Sequence, residues 1–161
     1  MPKNIGYEIA IYVAIISAVI SGILSYATYA QGFEPYKYGG LVAIHALVGA
    51  TAGALVALGY ASRYYDDAES LDTMPYATRI LMPIGIILAL FSLAPCSTPS
   101  ILCYMIATIS YTGISWASAG LVVLLVWIPA SSKAYYNATL RVLKMYHSEV
   151  LSLVKHQNTS S

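Results

Sequence analysis

Charge is what this chain has least of. Only 9% of its 161 residues are Asp, Glu, Lys or Arg, while 58% are hydrophobic; soluble domains carry about 25% charged residues. The composition therefore excludes an ordinary soluble globular domain. A net charge of +1 offers no electrostatic footprint for nucleic acid. Histidine (three) and cysteine (two) are also scarce. No Gly-rich phosphate loop, His-Glu-x-x-His or Gly-x-Ser-x-Gly is present. No carboxylate falls in the middle of an apolar run, which argues against a proton or sodium pump and against a rotary proteolipid ring.

What is there is apolar length. Four runs cover about 8–30, 39–61, 78–95 and 106–128, and the mean hydropathy of the chain is +0.68. About 20 apolar residues cross about 30 Å of hydrocarbon. Three runs meet that, the third suffices if its helix stands nearly perpendicular, and 101–128 also reads as one longer helix. The first run is too long for the apolar core of a cleaved signal peptide, and Met1-Pro2-Lys3-Asn4 matches no lipid-anchor signal. Seven of the eight Lys and Arg residues (Lys3, Arg63, Arg79, Lys133, Arg141, Lys144 and Lys155) lie on one side of these runs, and only Lys37 lies on the other. That bias predicts a multi-pass protein of the cell membrane with both termini cytoplasmic.

The expected fold is an all-α membrane protein: a four-helix transmembrane bundle over 1–130, followed by an amphipathic cytoplasmic C-terminal helix and frayed tail over 131–161. In the tail, Leu140, Leu143, His147, Val150 and Val154 recur at three- and four-residue spacing. This predicts a helix over about 134–155 that lies on an anionic membrane surface or pairs with a partner or a second copy. The second loop, 62–77, places Asp66, Asp67, Glu69 and Asp72 between Arg63 and Arg79, which reads as a solvated loop whose carboxylates offset the flanking arginines. Trp127 and several tyrosines near the span ends fit an aromatic belt. Few amides, few cysteines and fifteen tyrosines lean towards a thermophile-like, archaeal-like composition. The glycosylation sequons at Asn137 and Asn158 fall on the cytoplasmic side of this topology and are expected to be unmodified.

Helix contact surfaces are the most legible sites. Ser17, Ser21 and Ser25 are spaced by four on the first span, Gly49 and Gly53 form a GxxxG on the second, and Gly113 with Ala117 repeats the spacing on the fourth. Small residues four apart let helix backbones approach closely in lipid. His45 is the one ionisable residue well inside a span. A neutral imidazole at that depth either is satisfied by a neighbouring carbonyl or hydroxyl, or contacts a haem or quinone. Cys96 and Cys103 fall outside the cytoplasm and are disulfide candidates, with free thiols or a redox-active pair as alternatives; a Cys-x-x-Cys is absent.

A histidine in the outer part of the second span, four spans with both termini inside and an external Cys-x6-Cys pair resemble compact heme A synthases. The resemblance implies haem contact at His45. The sequence departs from that family's E-x-x-H-R motif, having Val42-Ala43-Ile44-His45-Ala46, and it has Ser115-Trp116-Ala117 where the family carries a second histidine. The leading functional expectation is a non-catalytic accessory or structural subunit of a larger membrane complex. Its partners are the lipid bilayer and other membrane subunits or copies of itself. The alternative is a haem- or quinone-contacting redox subunit using His45.

Overall fold

A computed structural model of the chain describes residues 3–30, 39–90 and 100–159. Among the described residues every regular element is helical: α1 (Ile5–Ala30), α2 (Gly39–Arg63), α3 (Ala68–Leu71), α4 (Pro75–Ala89) and α5 (Ile101–Thr159). Three segments within them, Ile5–Ala27, Gly40–Arg63 and Ile101–Leu151, are long and apolar enough to cross a membrane. The third predicted run yields α4, which is 15 residues long; residues 91–95 of that run lie outside the described residues.

Local chemistry explains where the elements start. Asp67 caps α3: its carboxylate accepts the Ser70 backbone N–H at 3.0 Å and the Ser70 hydroxyl at 2.6 Å, satisfying donors that a helix start leaves open. α4 opens on Pro75, whose fixed φ suits a first turn and whose missing N–H would have had no partner there. α5 runs for 59 residues straight through Pro129. A proline removes one backbone hydrogen bond without removing the i→i+4 ladder on either side, so a helix supported by neighbours continues past it.

α5 is the helix that all the others share, packing against α4, α2, α1 and α3. Close approach comes from missing side chains. A Cβ on Gly49 would lie 1.9 Å from the Ser115 carbonyl oxygen, and one on Gly53 would lie 2.8 Å from that of Ala119. On the other side of α5, Gly113 and Gly85 face each other. A Cβ on either would come within 2.7 Å of the other's carbonyl oxygen, and Gly85 also abuts Ala117. The larger buried side chains, Ile5, Ile9, Val13, Leu71, Met74 and Leu81, fill one end of the bundle.

The outside of the bundle is apolar. Ile11, Ile15, Val19 and Ile23, four residues apart on α1, are each more than half exposed, as are Leu47, Leu55 and Leu58 on α2. A continuous aliphatic stripe of this kind is rare on a soluble monomer and ordinary against lipid.

Candidate functional site

The three serines predicted on α1 are buried: Ser17 and Ser21 fully, and Ser25 to 3% exposure. Ser17 returns its hydroxyl to its own helix, donating to the Val13 carbonyl at 2.6 Å. Ser21 reaches across to α5, with its Oγ 2.9 Å from that of Ser115. Ser115 in turn donates to the backbone carbonyl of His45 at 2.7 Å. Since Ser115 has a single proton and spends it on His45, Ser21 is the donor between the two hydroxyls. One turn further along α5, Ser118 donates to the Ala46 carbonyl at 2.8 Å. Three helices are thus tied by hydroxyls at the level of His45.

The His45 ring is fully buried. Its Nδ1 lies 2.7 Å from the Leu41 carbonyl oxygen on the preceding turn of α2. A carbonyl only accepts, so Nδ1 carries the proton, and in the neutral ring Nε2 keeps its lone pair. Among the described residues that buried Nε2 has no hydrogen-bond partner. Tyr111 of α5 is stacked on the imidazole, with ring centroids 4.3 Å apart and planes inclined by 13°. The result is a dry base atom at the edge of a ring whose proton is committed elsewhere and one of whose faces is covered.

Sequence reasoning located His45 and small residues at helix contacts, but not Tyr111 against His45 or Gly85 against Gly113. Tyr111 and Ser115 are one turn apart on α5, so both belong to the face turned towards His45, opposite the one carrying Gly113. That spacing was the available signal, hidden because tyrosine near a span end also fits an aromatic belt. Cys103 is half-buried on α5, and no free thiol stands among the described residues; its candidate partner Cys96 lies outside them.

Charged groups gather at the opposite end of the spans from Cys103. Lys3 Nζ lies 2.9 Å from Glu8 Oε1, and the Tyr60 hydroxyl donates to Glu8 Oε2 at 2.7 Å. The bond to Glu8 raises the Lys3 ammonium above its ordinary value. In the acidic loop, Ser70 holds the Asp67 carboxyl below the usual range through its hydroxyl and backbone N–H. Asp66 pairs with Arg141 and Asp72 accepts from the Tyr135 hydroxyl, both on α5. Asp66 and Asp72 therefore reach α5, while Arg63 and Arg79 sit over the Tyr64 and Tyr76 rings. Among the described residues no three His, Cys, Asp or Glu side chains converge as a metal site would require.

No known family matches the chain, and no curated protein or solved structure is significantly similar to it. The likeness to compact heme A synthases thus rests on its few shared motifs alone.

Proposed function

We propose that this chain is a four-span protein of the cell membrane, with both termini cytoplasmic, that serves as a non-catalytic accessory or structural subunit of a larger membrane assembly. The observation that carries the reading is the last part of α5. At about 1.5 Å per residue, its 59 residues extend about 88 Å, against about 30 Å of hydrocarbon. Residues 141–151 are all exposed, with Val142, Leu143, Tyr146, Val150 and Leu151 among them. Ser131 and Ala134 are buried, and Arg141 pairs with Asp66. These contacts use the small and polar side of the helix, leaving its apolar side directed away from the bundle. A helix continuous with a membrane span leaves the bilayer at an angle set by that span, so beyond its first turns this apolar side meets protein more readily than lipid. Cross-linking in native membranes, followed by purification in mild detergent, tests the reading. Co-purification of a stoichiometric partner, or a mass of two or more copies, is expected. Both should be lost on truncation after residue 140. A monomer that captures nothing would overturn it.

A Cys96–Cys103 disulfide in the outer loop belongs to the same proposal, supported by the absence of a free thiol at Cys103. Closing a loop this short contributes about 2–3 kcal/mol in the chain-entropy model. Maleimide labelling that requires prior reduction would establish it.

A second reading is favoured by the unpartnered His45 Nε2, which has the lone pair that iron ligation or a quinol hydroxyl requires. The Nδ1–H bond to the Leu41 carbonyl would orient the ring for either. Haem held here would show a Soret band in the purified protein that disappears in His45→Ala. A colourless preparation whose extract contains no quinone would dismiss this reading and leave the first intact.

A further inference from the structure

A cleft of about 530 Å³ opens between the start of α4 and the Trp127 region of α5, lined by Asp72, Pro75, Tyr76, Arg79, Leu124 and Trp127 among others. It lies at the end of the bundle that carries Lys3, Glu8 and the acidic loop. Its volume is in the range of small-molecule sites, and its chemistry is divided. Leu124, Pro75 and the indole of Trp127 give it an apolar wall. Arg79 and Asp72 give it one charge of each sign.

The two charges are not spent on each other. Among the described residues Arg79 makes no ion pair, and its guanidinium sits over the Tyr76 ring, 5.3 Å from the centroid. That placement orients the group through the ring's quadrupole while leaving its fork of donors available. Asp72 accepts one hydrogen bond from Tyr135, through one of two carboxylate oxygens, which leaves acceptor capacity on the other. Tyr135 also fixes the carboxylate in place without neutralising it. A purely anionic ligand would meet repulsion from Asp72, and a purely cationic one repulsion from Arg79. The complementary ligand carries both charges and an apolar body.

We propose that this cleft seats the head of a zwitterionic aminophospholipid, with the phosphate against Arg79, the ammonium against Asp72 and the first carbons of the chains against Leu124, Pro75 and Trp127. Guanidinium–phosphate recognition is bidentate and geometrically specific. Basic clefts between membrane helices near the bilayer surface are established headgroup sites. The proposal requires membrane placement of the bundle but not the partner reading of α5. The same head chemistry exists in soluble phosphoamines, which lack the chains that the apolar wall would bury.

The test uses the full chain in detergent micelles, in a Trp116→Phe background so that Trp127 alone reports. Brominated phosphatidylethanolamine is titrated against brominated phosphatidylglycerol, and Trp127 fluorescence quenching is read. Quenching by the ethanolamine lipid at tenfold or more lower mole fraction is expected. Arg79→Gln should weaken that binding about tenfold, and Asp72→Asn should erase the preference by admitting the glycerol lipid. Far-ultraviolet circular dichroism checks that each variant keeps its helices. Equal quenching by both lipids in the unaltered pair, or folded variants that bind as the parent does, would overturn the proposal. Displacement by soluble phosphoethanolamine at concentrations matching the lipid would overturn the lipid assignment and give the site to a soluble phosphoamine.

Discussion

At the scale of single residues, this bundle is held by what side chains leave out. The Ser115 carbonyl occupies the place a Cβ on Gly49 would need, at 1.9 Å. That oxygen belongs to a backbone in mid-helix and cannot swing aside, so Gly49→Ala must push α2 away from α5 and stretch the Ser115–His45 bond. We expect a loss of about 2–3 kcal/mol, towards the upper end for overpacked sites, seen as earlier loss of ellipticity during unfolding in mixed micelles. Gly59 on the same helix has nothing within 4 Å of a built Cβ, so Gly59→Ala should be neutral or stabilise by up to about 1 kcal/mol through helix propensity. Equal effects of the two would show that α2 does not sit against α5 as described. His45 belongs to this scale as well: its depth in a span singled it out from sequence. The unpartnered Nε2 beside Tyr111 was not legible there, because it depends on a contact between residues 66 positions apart.

At the scale of elements, the short α3 and the long α5 depend on the same loop. Asp67 caps α3 with a carboxyl whose folded value lies below its ordinary 3.8. A group depressed on folding contributes stability that is present above its unfolded value and disappears as pH falls through the folded one. Stability should therefore decline below about pH 4, and Asp67→Ala should cost about 1 kcal/mol at neutral pH while flattening that acid slope. Melting curves between pH 2 and 7 on both proteins compare the two; parallel slopes would remove Asp67 from the account. The Asp66–Arg141 pair is exposed on both sides, and such pairs contribute only about 0–1 kcal/mol. Asp66→Asn is expected to leave global unfolding unchanged and to speed amide exchange in residues 136–148. Unaltered exchange there would mean that the pair does not hold the helix.

The elements themselves were largely legible. Apolar length gives α1, α2 and the first half of α5, because in a chain with so little charge length and hydropathy carry the signal. The spacing of Leu140, Leu143 and Val150 gives helix beyond Pro129. What the pattern leaves open is that these two stretches form one uninterrupted helix. A proline reads as punctuation, and whether a helix survives one is decided by the neighbours that support it. The start of α4 at Pro75, ahead of the apolar run, is legible only once proline is read as a first-turn residue. The Gly85–Gly113 contact needed both helices in place.

At the scale of the whole molecule, the distribution of Lys and Arg is the argument for orientation, and the sequon at Asn137 offers a direct measurement. Asn137 is half-buried on α5 beyond Pro129. Translation into glycosylation-competent microsomes should give an unglycosylated product, while a sequon engineered into the 31–37 loop should be modified. A glycan on Asn137 would invert the molecule, placing the acidic loop and the cleft at Arg79 outside and the two cysteines inside.

The sharing of α5 by every other helix has a consequence for how the protein is made. α5 follows the other helices along the sequence, so on the membrane placement proposed above α1, α2 and α4 would reach the bilayer before the helix they share. The carbonyl acceptors of His45 and Ala46, the Thr78 hydroxyl that donates to the Gly120 carbonyl of α5, and the notches at Gly49 and Gly85 stand open until α5 arrives. Insertion and closure would then be separate events in time, with the earlier helices entering ahead of their common partner. The bundle forms in one late step, and a ribosome stalled before α5 would release a set of inserted helices without their common partner, the species a membrane quality-control protease is suited to remove.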